Sequence, residues 1–346
     1  MSVVAEAIKK VATGPHLSKD LSIDEAREAA LEILSGQADE VQAAIFFIAL
    51  RMKTETNDEN LGVLQALQQY TDQVEVNVEH LLNLSDPFNG YTRHCPVVAF
   101  LPAVLAASGL PTISQGVKEM GPKFGVTHSQ VLAAAGVNVD LSVAEAAKRV
   151  DEFGWAYIDQ AQASPAVFAL EQLRTRMIKR PCIATLEKMV LPLKAQNNHL
   201  HIGFVHKAYP AVLTWLAQQI GLTSAFVIRG IEGGVLPTLR ETSNNHIARQ
   251  DSVETCELNP VDFGIEQDTR GVLPQKNEHV TAQETVELAM LALEGQQGAA
   301  FDSLVYGAAM ALWQTGLVKN KLQAADHVRE VIMSGQAKAC FEKGVG

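Results

Sequence analysis

At 346 residues, 47% hydrophobic and 19% charged, the chain is long enough to bury a sizeable core and to form two structural regions, which excludes the disordered and the small disulfide-stapled classes. A formal charge of −11 excludes an evenly adhesive surface for nucleic acid or acidic membranes, so any such contact must come from a local excess of cations. No apolar run approaches the roughly eighteen residues of a membrane span, no signal-peptide pattern is visible, and Cys95, Cys182, Cys256 and Cys340 lie scattered without a C-x-x-C pair; the expectation is a cytoplasmic protein with no membrane contact, no disulfide framework and no structural zinc.

Residues 1–75 predict helices. Ser22-Ile23-Asp24-Glu25 has the capping-box pattern and opens a helix that ends before Gly36, and Thr56-Asn57-Asp58-Glu59 opens another. Between them residues 41–52 are almost wholly apolar, which predicts a helix buried on most sides. It carries more apolar surface than one core-facing stripe requires, and the excess predicts a contact with an identical subunit. From about Leu81 strands and helices alternate. Short apolar runs at 112–114, 155–158, 200–205 and 225–229 lie between helical stretches, and Ser142-Val143-Ala144-Glu145 and Thr281-Ala282-Gln283-Glu284 cap two more helices. The pattern predicts an α/β domain with a mainly parallel sheet flanked by helices. Residues 164–193 contain two helices and no strand, which breaks the alternation.

Leu84-Ser85-Asp86-Pro87-Phe88-Asn89-Gly90-Tyr91-Thr92-Arg93 reads as a strand end and a polar turn leading to a helix, where open α/β proteins gather free N–H groups and bind anions. Asn89, Gly90 and Arg93 are the candidate anion contacts here, without the glycine density or lysine of a P-loop. A second loop adds Gly116 and Lys118, and Gly121-Pro122-Lys123-Phe124-Gly125 adds Lys123 before a helix near Thr127. His94 and His128 are either further anion donors or solvent-exposed loop and helix-start residues. Arg174, Arg176, Lys179, Arg180, Lys188 and Lys194 form a basic segment interrupted by Glu187 alone, readable as a solvated helix face or as a nucleic-acid contact.

His199 and His201 share one strand face but lack a third ligand, and are expected at the surface of a strand start. His206 and Tyr209 follow that strand, where sites gather. Glu232, between glycines, reads as a turn residue or a lone ligand contact. No metal site is expected, and no Ser-His-Asp or Cys-His order singles out a catalytic residue.

The order and spacing of these loops resemble the anthranilate phosphoribosyltransferase family, related in fold to the pyrimidine nucleoside phosphorylases, along most of the chain. In that family a G-T-G-G-D loop wraps the pyrophosphate of phosphoribosyl pyrophosphate; the matching positions here are Asp86-Pro87-Phe88-Asn89-Gly90. The family's N-x-S-T falls near Pro96-Val97-Val98-Ala99, its K-H-G-N-R on Ser114-Gln115-Gly116-Val117-Lys118, and its magnesium-holding D-E pair near Glu232. A divergent branch, a second TrpD group, is similar in Ala49-Leu50-Arg51-Met52-Lys53, Arg174-Thr175-Arg176-Met177, Thr185-Leu186-Glu187-Lys188 and His206-Lys207-Ala208-Tyr209. The resemblance implies a helical domain at 1–75, joined by helices at about 164–193 near the interdomain hinge, an α/β domain at 80–346, and a homodimer. It also implies lost anthranilate transfer and binding of an anionic ligand, such as single-stranded nucleic acid or another phosphate-bearing ligand. The alternative is an active glycosyl- or phosphoribosyltransferase on another acceptor, and magnesium is expected only in that case.

Overall fold

A computed structural model describes residues 2–14, 16–276 and 278–345. Two compact units divide the chain: one takes the residues up to Gln73 with Gln160–Pro192, the other Val74–Asp159 with the residues from Leu193 on.

The first unit is wholly helical. Helices Val3–Val11, Ile23–Leu34, Glu40–Lys53 and Asn57–Gln69 are joined by Gln160–Ala163, Pro165–Phe168, Glu171–Met177 and Ile183–Leu186. Both expected capping boxes form, Ser22 with Glu25 and Thr56 with Glu59. Glu59 does more than cap. Fully buried, it also accepts from the Leu21 amide at 2.9 Å and meets Lys53 at 3.0 Å, so the cap ties two further segments to the helix. Helix Glu40–Lys53 buries Ala43, Phe46, Phe47 and Leu50, each large side chain contributing about 2–3 kcal/mol of transfer free energy. Its opposite face departs from the expectation of burial on most sides: Val41, Ile45 and Met52 are exposed.

The second unit is a twisted sheet covered by helices. Its strands are β1 Val74–Glu75, β2 His80–Ser85, β3 Thr112–Gly116, β4 Trp155–Asp159, β5 Leu193–Lys194, β6 Asn197–Gly203, β7 Ser224–Ile228, β8 Ser243–Arg249 and β9 Ser252–Leu258. The main sheet has the order β4-β3-β2-β6-β7-β8-β9, parallel through β7 and antiparallel across β8 and β9. β1 and β5 form a separate parallel pair. β3, β4 and β7 are buried throughout, as strands covered on both faces must be. Helix Ala299–Gln314 is buried almost all round, which accounts for its lack of a polar face. The hairpin β8–β9 has no counterpart among the strands expected from sequence. Asn244, Asn245, Glu254 and Glu257 give it too little apolar alternation to be seen.

Candidate functional site

The loops that leave the carboxyl ends of β2 and β3 are laced together by their backbones, and the β7 loop joins them through the Asp86 and Glu232 carboxylates. The Gly125 amide donates to Asn89 O at 3.0 Å, and Tyr91 and Val126 exchange hydrogen bonds at 2.9 and 2.8 Å. Gly90 sits at φ +68, and a Cβ there would overlap the Gly125 carbonyl, so the turn requires glycine for both its conformation and its clearance. From the β7 loop, Val235 N donates to Asp86 Oδ1 at 3.3 Å, and a side chain at Gly234 would overlap the Tyr91 hydroxyl. Phe88, within the Asp86–Gly90 turn, is buried against Val117 and Met120.

Glu232 is the charge at the centre of this lacing. Its side chain is 1% exposed, and its backbone takes the left-handed conformation, φ 54 and ψ 18, uncommon for a residue with a side chain. The carboxylate accepts from three successive amides, Thr92 at 3.1 Å, Arg93 at 3.0 Å and His94 at 3.1 Å. Thr92 Oγ1 at 3.3 Å, His94 Nδ1 at 3.2 Å and Lys123 Nζ at 2.6 Å complete the set. Burial disfavours the charged form, but the hydrogen bonds from His94, Lys123 and Thr92 outweigh it and hold the carboxyl well below the usual range.

Glu232 therefore consumes cations that the sequence offered to a ligand. Lys123 also donates to Gly90 O at 2.6 Å, while Arg93, largely exposed, approaches Glu232 only to 3.9 Å. Lys118 is exposed, and Gly116 closes β3 beside the Tyr157 hydroxyl. Gln115 donates to Ser85 Oγ at 2.9 Å, in the interior. His206 and Tyr209 stay together at the entry of helix Tyr209–Gln219, ring centroids 6.1 Å apart, with His206 exposed. Of the expected anion contacts, Asn89, Gly90, Arg93 and Lys123 are brought together. Nothing places Lys118 or His206 among them.

Beneath this layer lies a buried polar group that sequence reasoning passed over or placed at the surface. The Tyr91 hydroxyl donates to Asp86 Oδ1 at 2.8 Å, and burial together with the Asp86 charge keeps it protonated. His128, read from sequence as an anion donor or a solvent-exposed helix-start residue, is 2% exposed; its Nε2 lies 3.0 Å from Asp86 Oδ2, at ion-pair distance but out of line for a hydrogen bond. Asn89 Nδ2 is likewise buried without a hydrogen-bond partner among the described residues. The signal for Asp86 and Tyr91 was present in the P-x-x-G turn between them. Their burial was not readable, because it depends on the β7 loop, which follows in the chain only after Ile228.

The expected surface positions of His199 and His201 are also corrected, since both are interior. His199 meets Ser224 Oγ at 2.8 Å and His80 at 3.0 Å, while His201 meets Gln314 Oε1 at 3.3 Å. Burial pushes His199 down to about 4, assisted by the charges of His80 and Arg249. It pushes His201 down to about 3, against the hydrogen bond that His201 Nε2 donates to Gln314 Oε1. Imidazoles hydrogen-bonded to one another and to hydroxyl and amide groups form a structural network.

In the first unit the basic segment is divided. Arg174 is a correction to its expected place on the surface: 8% exposed, it forms a bidentate pair with Glu187 at 2.7 and 2.8 Å, and Gln160 donates to the same carboxylate at 2.9 Å. Arg176, Lys179 and Arg180 are exposed and Lys188 is half-buried. Arg176 pairs with Glu40 at 2.7 Å on the surface.

No group of three or more His, Cys, Asp or Glu side chains suited to a metal occurs among the described residues. A magnesium–pyrophosphate group needs open carboxylate oxygens; here Glu232 is saturated by donors and Asp86 faces Tyr91 and Val235. The residues present do not fit that group. No helix among the described residues is long and apolar enough to cross a membrane.

Comparisons with known proteins agree with this fold. The family model described as glycosyl transferase family, a/b domain, matches residues 97–338, and that of the helical bundle domain of the same family matches residues 5–71. An anthranilate phosphoribosyltransferase of Anaeromyxobacter sp. (strain K) is 28% identical over 339 residues, covering 97% of this chain and 96% of that protein. Among solved structures, anthranilate phosphoribosyltransferase from Thermus thermophilus superposes with a TM-score of 0.79 at 19% identity, over 100% of this chain and 98% of that one. The Saccharomyces cerevisiae enzyme in complex with PRPP and Mg gives 0.80 at 15%, over 99% and 96%. At those identities the structures share a fold.

Proposed function

Because the chain belongs to the glycosyl transferase family with an N-terminal helical bundle and a C-terminal a/b domain, we propose that it is a cytoplasmic, homodimeric member that has lost anthranilate transfer and binds a polyanion, single-stranded nucleic acid above all. Transfer from a pyrophosphate donor demands a neutralised leaving group and donors free to hold it. The observation that carries the loss is the state of Glu232, whose carboxylate takes up Lys123 and three loop amides.

Polyanion binding is supported by the exposed Arg176, Lys179 and Arg180 within an otherwise acidic chain. The surface pair Arg176–Glu40 is worth little in water, so a phosphate can replace Glu40. A two-fold dimer presents the set twice, and the exposed Val41, Ile45 and Met52 on helix Glu40–Lys53 supply an apolar stripe for such a contact. Isothermal titration against a short single-stranded DNA, beside phosphoribosyl pyrophosphate with and without magnesium, tests the reading. DNA binding that weakens steeply with salt, with weak and magnesium-indifferent donor binding, is the expected outcome. Micromolar donor binding that disappears with a chelator would overturn it.

A second reading, transfer to a different acceptor, rests on the buried and unpartnered Asn89 Nδ2, since such a group costs stability unless something pairs with it. Release of pyrophosphate in the presence of candidate acceptors would establish that reading.

A further inference from the structure

Three successive backbone N–H groups directed at one carboxylate make an anion-binding nest, and an ammonium beside them adds to it. The Arg93 and His94 amides donate to Glu232 Oε1 and the Thr92 amide to Oε2, and Lys123 supplies the ammonium, 2.6 Å from Oε2. The anion bound there belongs to the chain. We propose that this nest is a small-oxyanion site, of the size for a phosphate or carboxylate group, and that Glu232 is its tethered occupant, closing the site to free ligands. The proposal is independent of polyanion binding by Arg176, Lys179 and Arg180, so either can fail alone.

Two further observations support it. Glu232 reaches the nest from a left-handed backbone position, and such strain is kept where the surroundings over-determine the placement of a side chain. Glu232 is also 138 to 140 residues distant in sequence from the amides it binds, so it does not cap its own turn but fills a receptor built by another loop. The groups facing its carboxylate are all donors or cations: the three amides, Thr92 Oγ1, His94, Lys123 and, more distantly, Arg93. A tethered carboxylate acts at a high effective concentration, so free phosphate in the millimolar range should not compete with it in the parent protein.

The test uses the full chain with Glu232→Ala, inorganic phosphate and formate as probes, and sodium chloride at matched ionic strength. Glu232→Ala should melt below the parent and regain stability saturably with phosphate or formate, at a midpoint at least about tenfold lower than any response of the parent. Adding Lys123→Met should abolish that response. Should Glu232→Ala fail to fold, Glu232→Gly, which suits the left-handed backbone, takes the same titration by calorimetry. A response equal to that of chloride, one equal in parent and variant, or one that survives Lys123→Met would overturn the proposal.

Discussion

Glu187 in the helical unit and Glu232 in the α/β unit are equally buried, each 1% exposed, yet they hold different things together. Glu187 is satisfied by Arg174 and Gln160, partners 13 and 27 residues away, and so fastens one stretch of chain to itself. Glu232 is satisfied by Lys123 and the Thr92–His94 amides, 109 to 140 residues away, and so joins the loops of three strands. The contrast teaches that a cation's sequence neighbourhood says little about its availability. Arg174 is consumed by a neighbour and Lys123 by a distant loop, while Arg176, two residues from Arg174, pairs with Glu40 at the surface.

The largest expected effect breaks the local pair. Glu187→Ala leaves the Arg174 guanidinium buried and unpaired, which should cost about 3–5 kcal/mol in urea unfolding and open residues 160–192 to protease. A loss under about 1 kcal/mol would mean that solvent screens the pair as it does on a surface.

Acid should separate the buried histidines from both carboxylates. The folded pKa of His199 lies near 4, below its usual 6.5, so between those values the unfolded chain binds the proton first. The stability supplied by the neutral ring is complete above about pH 6.5 and is lost as the pH falls through about 4. The loss expected from this site is about 3 kcal/mol, and His199→Gln should flatten the stability profile in that window. An unchanged profile would show that the ring is solvated.

Glu232→Gln is expected to cost about 2 kcal/mol at pH 7, because its amide NH₂ then faces donors instead of accepting from them. The parent carboxyl is held well below its usual 4.5, so its contribution is complete above about pH 4.5 and fades only as the pH falls further. The gap between parent and variant, read from melting curves, should accordingly persist down to pH 4. No gap at pH 7 and none at lower pH would mark an ordinary solvated carboxylate.

The smallest effect on stability and the sharpest on binding belongs to the surface cations. Changing Arg176, Lys179 and Arg180 together to Ala should alter stability by less than about 1 kcal/mol. It should lower affinity for unrelated single-stranded DNAs alike and reduce the salt slope by about 2, the value for three phosphate contacts on a single strand. Unchanged binding in the folded triple variant would remove the segment from the contact.

Much of the architecture was legible before any coordinates, because it rests on local signals. The capping boxes at Ser22 and Thr56 and the parallel strands β3, β4, β6 and β7 follow from side-chain spacing and from apolar runs between turns. The resemblance to the transferase family followed likewise from the order of the loops. The hairpin β8–β9 escaped because its stability comes from pairing with β7, not from its own composition. Sequence by itself also singled out Asn89, Gly90, Arg93 and Lys123 as loop residues with anion-binding chemistry, and Glu232 as a turn residue or a lone ligand contact. Only the tertiary structure decided which of them face each other: whether a charge is free or spent depends on groups far away in the chain, and a carboxylate aimed by a left-handed turn onto three distant amides leaves no periodic or compositional trace.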